Sequence, residues 1–211
     1  MARAAEAASA NESAFGIVAL DWKKAYDGVA LDILGDTLGR TGIPPWAPNP
    51  LMDMYTRHRR IRVGTLVGNE WQPTCGIMAG CAVAVFVLAV CTKPWSLQVN
   101  RIENLTGRLY VDDSTAWATG TPNQVEQALE KGIAQTRAYE KATSWNLHPV
   151  KSTVSTTVKR VTKKVVTSTG PTGDAKVKDL GIIHQIGRRR KHNLKRPKSY
   201  GTGSVDCPDP K

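Results

Sequence analysis

Three aspartates stand where the amino-acid sequence predicts the ends of strands. Asp21 follows the continuous apolar run 17–20, and Asp112 and Asp113 lie between two β-rich stretches. A short apolar run predicts a strand buried on both faces, and aspartates favour tight turns, so the second pair is expected at a hairpin tip. Carboxylates at strand tips are a rigid way to hold two metal ions, which neutralise the attacking and leaving oxygens in phosphoryl transfer.

The metal that this chemistry favours is magnesium. Magnesium takes oxygen ligands and keeps several waters, so two or three carboxylates and substrate phosphates are sufficient. The four cysteines stand at positions 75, 81, 91 and 207, with neither a CxxC pair nor a histidine at zinc-finger spacing. A structural zinc site and a disulfide framework are therefore not indicated.

Other elements must bring the acids together. After the first strand, the spacing of apolar and turn residues predicts a helix near 28–40, a short helix from Leu51 to Arg57 and two strands about a turn at Gly68-Asn69. A buried helix over 75–91, the acidic hairpin and a capping-box helix from Thr121 to about Ala142 follow. The β-rich stretches at 154–158 and 164–169 could pair, and a short strand is expected at 180–183. This order favours an α+β, ferredoxin-like fold with helices packed on one face of a small antiparallel sheet. In such a fold Asp21 and Asp112 can be neighbours.

Charge is concentrated near the C-terminus. The net charge is +11, and residues 151–200 hold 14 Lys or Arg against two Asp, a net +12 by subtraction. Such a surplus favours a polyanionic partner. Residues 1–14 are polar and Ala-rich, without the apolar core of a secretory signal, so we expect a flexible segment on a nuclear or cytoplasmic protein that is not secreted.

One segment tests the expectation of a water-soluble fold. Residues 75–91 are 17 uncharged residues, the lower limit for a membrane span. Gly76 and Gly80 suit close packing inside a protein equally well. We expect no stable membrane association.

Two motifs carry a family resemblance. Residues 20–27 resemble the first palm motif of reverse transcriptases, an acid followed by Lys-Ala-aromatic-Asp, and residues 110–113 resemble their Tyr-x-Asp-Asp signature. Three weaker matches follow the family's order, at 76–81, 147–152 and 180–182. The resemblance spans about residues 15 to 190 and is nearest to non-LTR retrotransposons. It implies an RNA-directed DNA polymerase that joins a dNTP to a primer 3′-OH, with an RNA template and a DNA primer as partners.

The resemblance also assigns roles to residues of the predicted site. It implies that Asp21 and Asp112 bind two Mg²⁺ ions, for which Mn²⁺ could substitute, that Asp113 assists them, and that Lys151 donates a proton to the leaving pyrophosphate. A plain turn is the alternative for the Asp112-Asp113 pair. Lys151 could equally be a solvated charge or a phosphate contact.

Three further residues match nucleotide-contacting positions of the family. Tyr26 matches the aromatic that lies under the incoming sugar and excludes a 2′-hydroxyl, and a core aromatic is the alternative. Gly80 and Cys81 match the motif that lets the backbone approach nucleotide or template, although helix packing also explains the glycine. The family commonly has Arg-Gln before this glycine and Pro-x-Ser after it. This chain has Met78-Ala79 and Ala82-Val83-Ala84 at those places. A divergent subfamily and a decayed copy both fit.

The chain is divided by these matches into a flexible segment (1–14), a palm with partial fingers elements (15–187) and a basic tail expected to be disordered (188–211). Arg188, Arg189, Arg190 and Lys191 lie where a thumb would begin to hold the template and primer duplex, and a nuclear localisation signal is the alternative. Only about 15 residues precede the palm, so we expect a fragment that polymerises poorly without its fingers, thumb and any endonuclease module. The alternative function is a non-catalytic, ferredoxin-like nucleic-acid-binding module or a decayed retroelement remnant.

Overall fold

The elements of the fold are known for most of the chain. The structure, a computed structural model, describes residues 2–44, 46–78, 80–148, 150–169, 171–173, 176–179 and 182–185. The helices within these ranges are α1 (Ala2–Ala10), α2 (Leu31–Arg40), α3 (Pro48–Thr56), α4 (Ala84–Val99), α5 (Pro122–Thr143) and α6 (Lys159–Thr169). The strands are β1 (Ala14–Asp21), β2 (Arg62–Val63), β3 (Leu66–Val67), β4 (Leu105–Tyr110), β5 (Asp113–Gly120), β6 (Thr153–Thr156), β7 (Thr172–Gly173), β8 (Lys176–Asp179) and β9 (Ile182–Gln185).

The main sheet has the order β4-β5-β1-β6-β7, and its first four strands are antiparallel neighbours. The short β7 adds a parallel pair to β6. With α4 between β1 and β4 and α5 between β5 and β6, the chain forms two interlocked split β-α-β units, which is the ferredoxin-like arrangement. The expected α+β class with a small antiparallel sheet is confirmed.

The large hydrophobic core lies between this sheet and α5. A Cβ built on Gly16 of β1 would come within 2.7 Å of side-chain atoms of both Val125 and Leu129 on α5, so only a glycine permits this close approach. Val18 and Leu20 continue the same face of β1 and are buried in the same core. Because side chains point to alternate faces along a strand, the even-numbered residues of β1 face α5.

The N-terminal segment differs from its expected flexible state. It forms α1, and Ala8 of that helix is buried against Phe15 and Ile17, which lie on the opposite face of β1. Alanine has the highest helix propensity, and its small side chain lets the helix lie close to the sheet. A polar, Ala-rich composition predicts low burial but does not preclude docking of a helix on the sheet.

The start of α5 confirms the predicted capping box. Thr121 Oγ1 accepts a hydrogen bond from the Gln124 backbone N–H at 3.3 Å, and Gln124 Oε1 accepts one from the Thr121 N–H at 2.8 Å. Pro122 occupies the first helical turn, and the helix ends at Ser144 in the left-handed region. These interactions satisfy two backbone donors that a helix start leaves unpaired.

The predicted helix over 75–91 was displaced. The helix there is α4, which begins at Ala84, and the preceding loop contains Gly76 at φ +99° and Gly80 at φ +78°, values that a right-handed helix does not allow. Trp95 anchors α4 by donating a buried hydrogen bond to Thr136 on α5 at 2.9 Å. Among the residues the structure describes, no helix has the length and apolarity to cross a membrane.

Two other predictions of local structure were wrong. The turn of the β2–β3 hairpin lies at Gly64, with φ +62°, and not at Gly68-Asn69, because the left-handed glycine closes the pairing of Val63 with Leu66. Residues 164–169 belong to α6 and not to a β pair, since Val161 and Val165 share one buried helical face. The predicted strand at 180–183 overlaps β9, although Leu180 and Gly181 lie outside the described residues.

Burial separates the thiols by reactivity. Cys75 is exposed, whereas Cys91 is buried in α4, and burial raises the pKa of the Cys91 thiol to about 12. Because the thiolate is the reacting form, we expect iodoacetamide at pH 8 to alkylate Cys75 in the native chain and to leave Cys91 unmodified until denaturant is added. Peptide mass mapping before and after denaturation measures both sites. Equal native labelling of the two cysteines would contradict the packing of α4.

Candidate functional site

The register of the central sheet brings two of the predicted acids face to face. Asp21 is the last residue of β1, and its cross-strand partner is Asp113, the first residue of β5. Residues directly opposite in an antiparallel pair share one face, with Cβ atoms about 4.5–5.5 Å apart. Asp112 lies one residue further out, in the turn. The register therefore puts two carboxylate residues on one face at the end of the sheet.

The hairpin tip that carries Asp112 has an unusual backbone. Tyr110 pairs with Asp113, which leaves Val111 and Asp112 as a two-residue turn. Val111 adopts φ +56°, a left-handed conformation that a β-branched residue rarely takes. Such strain costs about 1–3 kcal/mol and persists only where the surrounding structure imposes it. The half-buried side chain of Val111, which packs against the main core, is one such restraint.

A buried hydrogen bond joins the two strands immediately behind the acids. Trp22 follows Asp21, Ser114 follows Asp113, and the Trp22 indole Nε1–H donates to Ser114 Oγ at 2.8 Å. Both side chains are at most 3% exposed. A buried donor and acceptor that satisfy each other are costly to separate. This Trp22–Ser114 bond therefore fixes the ends of β1 and β5 side by side.

An aromatic cluster supports that bond from below. Trp22 stacks on Trp145 with ring centroids 4.8 Å apart, and its edge meets Tyr139 at 5.7 Å. Burial raises the pKa of Tyr139, so this phenol is neutral. Trp145 Nε1 is buried with no hydrogen-bond partner among the described residues. The two indoles thus have similar surroundings but only one of them makes the cross-strand bond.

The segment after α5 wraps the end of β1. The backbone N–H of His148 donates to the Asp21 carbonyl at 2.7 Å, and the Asp21 N–H donates to Ser152 Oγ at 3.3 Å. The Lys23 N–H donates to the Asn146 carbonyl at 2.9 Å. The backbone around Asp21 is therefore held from both sides, by β5 and by residues 146–152. The motif match at 147–152 covers part of this segment but did not predict these hydrogen bonds.

The same segment places Lys151 beside Asp21. Lys151 Nζ lies 3.7 Å from Asp21 Oδ2, with the lysine side chain 62% and the aspartate side chain 37% exposed. An ion pair this accessible to water contributes about 0–1 kcal/mol. Lys151 thus lies beside Asp21 as an exposed positive charge, which is compatible with each of the roles considered for it.

The other predicted site residues, Tyr26, Gly80 and Cys81, lie in loops outside the main sheet. Tyr26 is half-buried against the core, and its carbonyl accepts a hydrogen bond from the Ile77 N–H at 2.8 Å. Gly80 is exposed, and apart from its chain neighbours no atom of the described residues lies within 4 Å of a Cβ built on it. Cys81 accepts a hydrogen bond from the Tyr55 hydroxyl at 3.2 Å, and burial together with this bond raises the pKa of Tyr55. Cys81 therefore has a packing partner of its own.

The donor set suits a hard cation in chemistry. Asp21, Asp112 and Asp113 offer carboxylate oxygens at one end of the sheet, as magnesium prefers. Within the described ranges, no three His, Cys, Asp or Glu side chains converge closely enough to hold an ion by themselves. A metal at this position would take Asp21 and an acid of the hairpin as protein ligands, and substrate phosphates and water for the rest.

Among known proteins, similarity is found with solved structures. No family model matches the chain, and no curated protein matches it. Among solved structures it is similar to apo telomerase from Candida tropicalis, truncated from its C-terminal domain, with a TM-score of 0.48 and 10% identity. The alignment covers 88% of this chain and 38% of that one. A likeness at this level does not transfer the activity of that enzyme.

The predicted nucleic-acid contacts of the basic tail cannot be placed beside this geometry. Arg188, Arg189, Arg190 and Lys191 lie outside the described residues. The nearest described residues are those of β9, which pairs with β8 in a separate two-stranded sheet. The role of the tail stays a prediction.

The Trp22–Ser114 bond can be measured against a matched control. Trp22→Phe and Trp145→Phe remove similar indole surface from the same stack, but only the first removes a hydrogen bond. We expect Trp22→Phe to lower the free energy of unfolding by about 1 kcal/mol more than Trp145→Phe does. Urea denaturation followed by far-UV circular dichroism gives both values. Equal losses would show that the bond does not hold the two strand ends.

Proposed function

We propose that this chain is the palm region of a reverse transcriptase of the non-LTR retroelement type. In this proposal it transfers a nucleotide from a dNTP to a primer 3′-OH by a two-metal mechanism. Asp21, Asp112 and Asp113 hold the metal ions, which are Mg²⁺ or, as a substitute, Mn²⁺. The motifs at 20–27 and 110–113 suggest this reaction, and the geometry of the sheet supports it.

The observation that carries the proposal is the register of β1 and β5. It places Asp21 directly opposite Asp113, although the two belong to separate motifs far apart in the sequence. A chance resemblance at two short motifs would not require their acids to meet at one end of one sheet. Carboxylates brought to the ends of two paired strands are what a two-metal nucleotidyl transfer needs.

Each residue then has a separate task. Bound metal ions would supply charge neutralisation at the attacking and leaving oxygens. Asp21 and the hairpin acids orient that charge, because β1 and β5 hold their backbones rigidly. Lys151, on the exposed side of Asp21, donates a proton to the leaving pyrophosphate, and Tyr26 lies under the incoming sugar. Gly80 and Cys81 line the approach of the nucleotide in this proposal.

The partners follow from the reaction. They are an RNA template, a DNA primer and a dNTP, together with the fingers, thumb and any endonuclease module that a complete polymerase of this type contains. Basic residues, including those of the tail, would neutralise phosphates of the bound duplex. We place the protein in the nucleus or the cytoplasm.

Metal binding tests the proposal most directly. We expect the purified chain to bind Mn²⁺ in calorimetric titrations, and Asp21→Asn and Asp112→Asn each to weaken that binding by at least about tenfold, since even changes outside the ligand shell cost about 10–100-fold. Asp36→Asn is the matched control, because Asp36 is an exposed acid paired with Arg40 on α2. This control should bind Mn²⁺ as the unmodified chain does.

The opposite outcome has a defined meaning. Equal, weak binding in the unmodified chain and all three variants would show that the acids do not act together. It would favour a non-catalytic nucleic-acid-binding module or a decayed retroelement remnant. Circular dichroism spectra of every variant would show whether a loss of binding comes from a loss of fold.

The ion pair between Lys151 and Asp21 gives a second test. A metal ion at Asp21 must compete with the Lys151 ammonium, so Lys151→Gln should strengthen Mn²⁺ binding by about two- to fivefold, the equivalent of an exposed ion pair of up to about 1 kcal/mol. Lys131→Gln, on the exposed surface of α5, is the control for the change in net charge. Weaker Mn²⁺ binding in Lys151→Gln alone would contradict the competition.

A further inference from the structure

The base of the β2–β3 hairpin pairs a cation with an aromatic ring. Arg59 and Trp71 form an antiparallel bridge, with backbone hydrogen bonds of 2.8 Å and 3.0 Å. The Arg59 guanidinium carbon lies 5.9 Å from the centre of the Trp71 ring, and Arg59 Nη2 donates to the Tyr55 carbonyl at 3.1 Å. The Arg59 side chain thus has a hydrogen-bond partner and lies within cation–π distance of the Trp71 ring.

A cavity of about 390 Å³ opens beside this pair. Its lining includes Asp27, Arg59, Trp71, Gln72, Thr74 and Cys75. The loop that forms one wall is tied to the segment after β1, since the Gly76 N–H donates to the Val29 carbonyl and the Ile77 N–H to the Tyr26 carbonyl, both at 2.8 Å. The cavity thus adjoins the segment that carries Tyr26 and Asp27.

The chemistry of the cavity fits a nucleotide. Trp71 is 46% exposed, and both an indole ring and a guanidinium plane stack on nucleobases whatever their sequence. Thr74, Gln72 and Asp27 add hydrogen-bonding groups at the edge. The hairpin above is positively charged, with four arginines and a single acid, Glu70, between residues 57 and 71. Phosphates of a strand that runs over the hairpin would be attracted to it.

We propose that this cavity binds one unpaired nucleotide of a single-stranded nucleic acid, with its base stacked at the Arg59–Trp71 pair. The inference deepens the proposed function and rests on it in one respect: the strand would be the template on its way to the candidate site. Stacking needs an unpaired base, so a blunt duplex does not use the cavity.

The test is binding of a fluorescein-labelled single-stranded RNA of about ten nucleotides, followed by fluorescence anisotropy. The full chain is used, in EDTA and at about 0.2 M salt, where non-specific ionic binding is weaker. We expect Trp71→Ala to raise Kd by about tenfold and Trp71→Phe, which keeps an aromatic face, to stay within about threefold. Arg59→Gln should raise Kd and flatten its dependence on salt.

Two matched controls separate the cavity from general effects. Trp46→Ala removes a tryptophan that is 77% exposed elsewhere, and Arg40→Gln makes the same charge change as Arg59→Gln on α2. Both should bind the RNA as the unmodified chain does. The proposal is overturned if Trp71→Ala binds normally, if Trp46→Ala is equally weakened, or if Trp71→Ala weakens a blunt duplex by the same factor.

The experiment also keeps this inference apart from the proposed function. EDTA removes divalent ions, so the result does not depend on Asp21, Asp112 or Asp113. Absence of a metal site together with a Trp71-dependent affinity for RNA would overturn the polymerase proposal and support the cavity. Mn²⁺ binding by the acids, together with an unchanged RNA affinity in Trp71→Ala, would support the polymerase proposal and overturn the cavity.

Discussion

The central strand β1 is the constraint on which the rest of the structure depends. It is hydrogen-bonded to β5 on one edge and to β6 on the other, and its two faces are covered by α5 and α1. The pairing with β5 also decides which acids meet, because the same ladder that buries Val18 ends at Asp21 and Asp113. A slip of one residue would turn every side chain of β1 to the other face, so a change of register would disrupt the core and the candidate site together.

How far the fold could be predicted depends on how local its signals are. The apolar run of β1 and the capping box of α5 are short-range patterns, and both were predicted correctly. The acidic hairpin was also predicted, but its turn is formed by Val111 and Asp112, and Asp113 belongs to β5. The assignment of 164–169 as a strand failed because β-branched residues there are buried by packing on α5, and Lys164 bonds to Glu126 across the two helices. Composition favoured β structure, and tertiary contacts decided for a helix.

The candidate site was likewise predicted only in part. The meeting of Asp21 with the acidic hairpin could be anticipated from motif order and a ferredoxin-like fold, whereas the Trp22–Ser114 bond could not, since it joins residues 92 positions apart and has no sequence pattern. The pairing of Arg59 with Trp71 was also missed, because the turn of its hairpin was placed four residues too late. Contacts of this kind require the register of the strands to be known first.

The exposure of Cys75 has a practical consequence. Its thiol lines the cavity beside Arg59 and Trp71, while Cys91 is sealed in the core. A maleimide dye or a photo-crosslinker attached at position 75 would therefore report from inside the cavity itself, without a new cysteine being introduced there. The chain carries its own attachment point for spectroscopy at the place where the loop of Gly76 meets the segment of Tyr26.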